Sequence, residues 1–440
     1  MGSARSAFQN GMLWIFGGGV FSQICSFISS IFVIRKLEKI DYGYYVDASN
    51  IYSYLVAFIG MGFISAILQY CSENRESSEK NCIYKYSRRK GTAFNLLLSV
   101  IIIGISVVRL LQGDKMPGIY IGMMSLLPFV VYFNNYNQII LRVKRKNKEY
   151  GIVHIAYSVS IVIGNILITK LWGVAGLIIS TYLSNIIAAL IGRLYLKKLS
   201  FYTDIATNIK EIGKDVKKEM NKYALLCAVT NFSSSVLVLL DITVLNAVLG
   251  NAEVLADYRV GSVVPTACMF IPSSLITFFY PEIVAKIERG RKEFIPYFTK
   301  LTVTFLIING IVGAVLFFGS GIIIKTIYGE RYLSAVGIMQ LLSVNFIVTA
   351  SFRRLFGNVI AALKKVHINL ILSIVSGVVN IGLDILLVIN RGSQGAAIAT
   401  LIVSCLTTVL EVLFIIHYIK KDMLGNNLQE IKAEGDDAVL

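Results

Sequence analysis

"WGVAGLIIST" (residues 172–181) and "RGSQGAAIAT" (residues 391–400) are two versions of one segment, set 219 positions apart in a chain of 440 residues. Gly173, Gly176, Ile179 and Thr181 in the first correspond to Gly392, Gly395, Ile398 and Thr400 in the second. At the same offset Asn165 meets Asp384, and Arg145-Lys146 meets Lys364-Lys365. Near the start of each half, "YGYY" (42–45) loosely matches "LADY" (255–258) at a slightly different offset. One half of the chain therefore repeats the other. Glycine and alanine at this spacing let membrane helices approach closely, and the Gly-x-x-Gly opens a helix after a very short turn. Taken singly, each of these small residues is most simply a packing position.

The surroundings of the repeat are apolar. Hydrophobic residues make up 55% of the chain and charged residues 15%, with a mean hydropathy of +0.69. A soluble domain is nearer a quarter charged, and crossing the hydrocarbon takes about 20 apolar residues. Apolar runs between charged clusters predict twelve spans. The first six cover roughly 12–34, 48–71, 92–111, 118–141, 151–171 and 173–195. The second six cover roughly 223–248, 260–281, 301–324, 333–361, 366–389 and 393–418. The fold class is an all-α polytopic membrane protein: residues 1–197 form an N-terminal six-helix lobe and residues 198–222 a basic linker. Residues 223–419 form a C-terminal six-helix lobe and residues 420–440 a polar tail. Six prolines imply few helix breaks. The first span has no small-residue cleavage site behind it and reads as a retained helix. Two parallel repeats place a pseudo-twofold axis along the membrane normal, with a cleft between the lobes.

Orientation follows from Lys and Arg in the loops. The loops after even-numbered spans hold "RESSEKNCIYKYSRRK", "RVKRKNKE", "KKLSFYTDIATNIKEIGKDVKKEMNK", "KIERGRKE" and Lys364-Lys365. Odd loops are sparser, the first, with Arg35, Lys36 and Lys39, being the exception. Both termini and the even loops are therefore expected on the cytoplasmic side. In the linker, Ile205, Ile209, Ile212, Val216 and Met220 recur at helical spacing while Lys210, Lys214, Lys217 and Lys218 fall elsewhere on the wheel. That pattern predicts a basic amphipathic helix, a linker that also lies on an anionic leaflet.

Other chemistries find little support. The six cysteines (Cys25, Cys71, Cys82, Cys227, Cys268, Cys405) form no Cys-x-x-Cys pair, and His154, His367 and His417 are dispersed, so no metal site or disulfide scaffold is expected. The net charge of +16 reflects basic cytoplasmic loops, with no nucleic-acid partner. "MGSARS" fits a myristoylation pattern, redundant beside many spans, and the "NFS" sequon at Asn231 lies inside a predicted span. No ATPase loop, no nucleophile with its base and no cofactor motif occurs, so no covalent chemistry on a substrate is expected.

"RKLEKIDYGYYVDASNIYSYLVAFIGMGFISAILQYCSE" (35–73), "LLDITVLNAVLGNAEVLADYRVGSVV" (239–264) and the stretch 327–404, with "YGERYLSA" and "GAAIAT" its most telling pieces, resemble the polysaccharide transporters of the MOP superfamily in order and spacing. The resemblance runs over nearly the whole chain and implies a Wzx-type flippase of the bacterial plasma (inner) membrane. Such proteins move undecaprenyl-diphosphate-linked oligosaccharide repeat units from the inner to the outer leaflet by rocking two six-helix lobes around a central, often cationic, cavity. A polymerase and a chain-length regulator, the partners this implies, then build O-antigen of lipopolysaccharide, capsule or exopolysaccharide. An ion gradient or the membrane potential would drive the step.

An ionisable side chain at the bilayer centre costs from about 2.5 kcal/mol upward and faces a cavity or a partner. The predicted cores of the first six spans hold no Asp, Glu, Lys or Arg; only their ends reach Arg109, Lys170 and Arg193. The second six hold Asp241, Arg353, Arg354, Asp384 and Glu411. Arg353 and Arg354 lie in "VTASFRRLFGN" (348–358), and adjacent helical residues point about 100° apart. One of them is expected to take the substrate diphosphate through paired N–H donors; the plain alternative is snorkelling to headgroups. Asp241 either pairs with Arg259 or serves as a coupling site, the ion pair being the simpler reading. Asp384, matching Asn165, reads as a shared structural polar position, and Glu411 as the partner of a basic residue near the inner surface. Asn134, Asn135, Asn137 and Gln138, and Asn231 with the serines 233–235, either meet sugar hydroxyls or join helices. Most of the 23 Tyr and 24 Phe are expected at interfaces and in packing.

Two transporters of similar architecture are rivals. A MATE-type cation-coupled drug antiporter would be expected to carry an acidic residue in its first lobe. A lipid II flippase of the MurJ kind would carry fourteen helices and arginines in its first two spans, whereas here Arg35 stands only at the exit of span 1.

Overall fold

The computed structural model describes residues 2–73, 75–207, 212–363 and 365–436. Ile209, Lys210, Lys364 and the last four residues of the tail lie outside them. Every regular element among the described residues is helical. In chain order these are α1 (Gly2–Lys36), α2 (Lys39–Val56), α3 (Phe63–Ser72), α4 (Ser77–Leu111) and α5 (Lys115–Met123). There follow α6 (Leu127–Val143), α7 (Asn147–Lys198), α8 (Phe201–Thr207), α9 (Lys214–Leu249) and α10 (Ala252–Cys268). The last are α11 (Phe270–Glu288), α12 (Arg291–Ile323), α13 (Val336–Val348), α14 (Arg354–Ala362) and α15 (Val366–Asp436). The chain divides into two compact units, Met1–Leu239 and Leu240–Leu440. The division falls inside α9.

Nine stretches among the described residues are long and apolar enough to cross a membrane. Their side chains are arranged inside out relative to a soluble protein. On α4, Asn95, Ser99 and Ser106 are buried while Leu96, Leu97, Val100, Ile103 and Val107 are exposed. Outward aliphatic side chains lose nothing in hydrocarbon, whereas the inward polar groups need partners.

The repeated segments make the same turn in both units. Gly173 has φ 55° and ψ −132°, and Gly392 has φ 58° and ψ −139°. Only glycine takes this conformation without strain. A Cβ on Gly176 would run into the carbonyl oxygen of Ile168, and one on Gly395 into that of Leu387. Residues eight apart on a straight helix lie about 12 Å from each other. The chain therefore doubles back at each glycine, and α7 and α15 are each a tight helical hairpin with two arms.

Helix boundaries depart from the sequence reading in instructive places. The second span starts earlier than expected, at Lys39, and is broken between α2 and α3, where Gly60, Met61 and Gly62 all have positive φ. Asn95 accepts a hydrogen bond from the freed Gly60 N–H at 2.9 Å, and the Tyr132 ring fills the space where a Gly60 or Gly91 side chain would stand. The basic stretch 75–90, read as a loop, is mostly the first part of α4. At 35 residues that helix is about 52 Å long, so its basic end projects beyond the hydrocarbon. Tyr132 and Tyr136 hold it to α6 by donating to the carbonyls of Ser87 and Tyr84 at 2.7 and 2.9 Å.

The linker also differs. Its apolar residues Ile205 and Met220 are buried, and Ile212 and Val216 pack beside them, on the core of unit 1 around Phe63, Tyr84 and Phe201. The described residues form two helices, α8 and the start of α9, whose apolar face is docked on the protein. Periodicity revealed an apolar face but not what would cover it. Unit 2 has its own core, in which Phe294, Phe305, Leu355, Phe356 and Val359 meet Ile415 of α15.

Candidate functional site

The densest polar cluster of unit 2 is built around Asp241, near the end of α9. Tyr258 on α10 donates its hydroxyl to Asp241 Oδ2. Thr400 on the second arm of α15 donates to the same oxygen at 2.8 Å, and Asn380 on the first arm donates to Oδ1 at 3.2 Å. Asn380 Nδ2 also lies 2.6 Å from Asp384 Oδ2, one turn further on. Asp384 is fully buried, and its Oδ1 has no hydrogen-bond partner. Two carboxylates thus share one amide donor, with no Lys or Arg within ion-pair distance among the described residues. Buried like charges are costly together unless a proton or a cation joins them. The expected pair between Asp241 and Arg259 is not formed. Arg259 follows Tyr258 directly, so it projects about 100° away around α10, and it is exposed.

Arg353 and Arg354 have different surroundings. The π-turn Thr349–Arg353 separates α13 from α14, and its extra residue rotates α14 away from the register of a regular helix. Ser351 in this turn is buried, with its hydroxyl 3.4 Å from the Phe305 carbonyl of α12. Arg353 is half-buried and lies in the field of Glu411, on the second arm of α15. Glu411 is itself buried, and its Oε2 has no hydrogen-bond partner. Arg354 is exposed.

Unit 1 treats its polar groups differently. Asn165, the repeat counterpart of Asp384, donates to Ser29 at 2.7 Å, and Thr181, the counterpart of Thr400, donates to its own helix at Leu177. Asn134 donates to Asn185 at 3.0 Å and accepts from Gln138, which makes it a helix-joining residue; Asn137 donates to the Ala189 carbonyl. Asn135 and Asn231 are exposed. A buried acid that the sequence reading placed outside the second span is present too. Asp47 of α2 meets Arg109 of α4 at 2.6 Å, and the other arm of that guanidinium meets Asp114 at 2.5 Å. The acid was missed because α2 begins nine residues before the span predicted from hydropathy. Among the described residues, no group of three or more His, Cys, Asp or Glu side chains forms a metal cluster.

Sequence reasoning named Asp241 and Asp384 separately but not Tyr258, Asn380 and Thr400 as the groups around them. The available signal was the i, i+4 spacing of Asn380 and Asp384, together with Thr400 inside the repeated segment.

A family model described as polysaccharide biosynthesis protein matches residues 8–285. No curated protein matches the chain. Among solved structures, an inward-facing multidrug resistance MATE family transporter of the MOP superfamily superimposes with a TM-score of 0.73 at 17% identity, covering 91% of this chain and 94% of that one. The lipid II flippase MurJ, in an inward closed conformation, gives 0.67 at 16% identity, covering 92% and 87%. A MOP superfamily transporter from Pyrococcus furiosus gives 0.55 at 15% identity, covering 93% and 94%. These likenesses show a shared transporter fold.

Proposed function

The chain belongs to the polysaccharide biosynthesis protein family, and from that premise we propose that it is a flippase for undecaprenyl-diphosphate-linked oligosaccharide repeat units in a bacterial plasma membrane. In this reading the hairpins α7 and α15 cross the bilayer twice each and α9 crosses once. That gives twelve crossings in two six-helix lobes, joined by the linker 198–222, with both termini and the basic loops cytoplasmic. The substrate moves from the inner to the outer leaflet for assembly of a surface polysaccharide such as O-antigen or capsule.

The observation that carries the substrate class is the exposed Arg354 guanidinium, with no carboxylate within ion-pair distance among the described residues, next to an Arg353 that lies in the field of Glu411. An exposed guanidinium with no carboxylate of its own suits a diphosphate through parallel N–H donors. Arg354 is therefore the diphosphate contact, and Arg353 orients the turn. The Asp241–Asp384 cluster supports cation or proton coupling. Charge on two carboxylates that share a buried site changes in cost when a cation arrives, and such a change can bias one conformation over another. The same cluster would suit a cation-coupled drug antiporter, but the family match favours the polysaccharide reading.

The test is flipping of lipid-linked oligosaccharide in proteoliposomes containing wild type, Arg354→Gln or Arg353→Gln at matched protein levels. Arg354→Gln is expected to abolish most transport. Normal flipping by Arg354→Gln would reject the assignment of Arg354, and no flipping by wild type would reject the substrate class.

A further inference from the structure

Outside these clusters, unit 1 carries a groove between α4, α6 and the second arm of α7, floored by α8, with a volume of about 480 Å³. Its upper walls are apolar: Phe129 and Phe133 from α6 face Ile186 and Leu190 from α7. Its lower end is cationic, with Arg88 from α4 and Arg193 from α7. The Arg193 guanidinium lies over the Tyr202 ring at 5.6 Å, and the Tyr202 hydroxyl donates to Asn137 at 3.3 Å, which fixes the floor. Neither arginine forms an ion pair among the described residues. Arg193 stands five residues before the basic end of α7 at Lys198. From Asn137 up to Phe129 the wall rises by about 12 Å at helical pitch.

We propose that this groove binds one anionic glycerophospholipid from the leaflet on the basic side of the membrane. The phosphate sits between Arg88 and Arg193, whose planar donors match phosphate oxygens in pairs, and an acyl chain runs up the Phe133–Leu190 wall. Basic pockets between membrane helices favour anionic headgroups for the same reason. A lipid-linked diphosphate offers similar phosphate chemistry. The groove suits the phospholipid better: an apolar wall of about 12 Å matches the reach of one acyl chain and is far shorter than an undecaprenyl chain.

The repeat supplies an internal comparison. Unit 2 has the counterpart groove between α12, α14 and α15, about 380 Å³, but with Arg291 as its one basic lining residue. At the repeat offset Arg193 is replaced by Val412 and Asn137 by Phe356, both of which line that groove. Unit 2 keeps the shape and loses the fork.

The test is native mass spectrometry of the full chain from nanodiscs of phosphatidylglycerol and phosphatidylcholine. Wild type is expected to retain one phosphatidylglycerol. Arg88→Gln and Arg193→Gln should each weaken retention roughly fivefold, and the double variant should lose it. Arg291→Gln should change nothing. If an arginine variant fails to fold, Leu190→Trp keeps both arginines and fills the wall, and it too should release the lipid. The proposal is overturned if the double variant or Leu190→Trp retains phosphatidylglycerol as wild type does. It is equally overturned if Arg291→Gln weakens retention as much, or if added undecaprenyl diphosphate displaces the lipid one for one, which would assign the groove to substrate.

Discussion

Unit 1 and unit 2 share the same hairpin and differ in the charge placed beside it. In unit 1, Asn165 and Thr181 donate neutral hydrogen bonds to Ser29 and Leu177, and Asn165 Oδ1 has no hydrogen-bond partner. In unit 2 the matching Asp384 and Thr400 stand with Asp241, Asn380 and Tyr258 in a cluster of two acids. The buried acid–base contact of unit 1, Asp47 with Arg109, is neutralised on the spot. Glycines common to both halves carry the architecture, and a few unshared side chains carry the chemistry. A duplicated fold can therefore specialise one half without redesigning its helices.

The largest effect should come from breaking what the units share. Gly176→Ala and Gly395→Ala each press a Cβ into a backbone carbonyl that cannot swing aside, at a cost of about 1–3 kcal/mol. Gly104→Ala meets nothing within 4 Å and should leave Tm unchanged or slightly raised. Thermal melts of the purified variants read this directly, and equal melting of all of them would remove the hairpin from the argument.

Next come the unshared charges. Arg353→Gln leaves Glu411 buried beside no cation and should destabilise the protein by about 1–3 kcal/mol. Adding Glu411→Gln should restore part of that loss, a coupling that a double-mutant cycle measures. Arg354→Gln should shift stability by less than about 0.5 kcal/mol, as at an exposed site, while transport falls. That split between stability and activity separates the two arginines. The smallest effect on transport belongs to unit 1: Asp47→Asn retains an acceptor for Arg109, which still holds Asp114. It should cost about 1 kcal/mol and leave transport near normal.

Much of this organisation was legible from residue order alone. The repeat was visible because Gly173/Gly392 and Gly176/Gly395 are demanded by backbone geometry, which leaves little choice of residue. The second half's buried charges were visible because hydrocarbon tolerates so few. The break at Gly60–Gly62 was obscured by apolar neighbours that keep hydropathy high across it. Burial of Ile205 and Met220 was equally hidden, since an apolar helix face reads alike against lipid and against protein. Asp47 was lost through a boundary error, and the ring around Asp241 because its members come from segments more than 100 residues apart in sequence.

The measurement that bears most directly on the division of labour is flipping by proteoliposomes under imposed proton or sodium gradients. It compares wild type with Asp384→Asn and with the reciprocal change Asn165→Asp. Coupling in unit 2 predicts that a gradient accelerates wild type and Asn165→Asp, while Asp384→Asn loses the acceleration, on the order of tenfold for one charge-assisted contact. A gradient response in Asp384→Asn equal to that of wild type would contradict it.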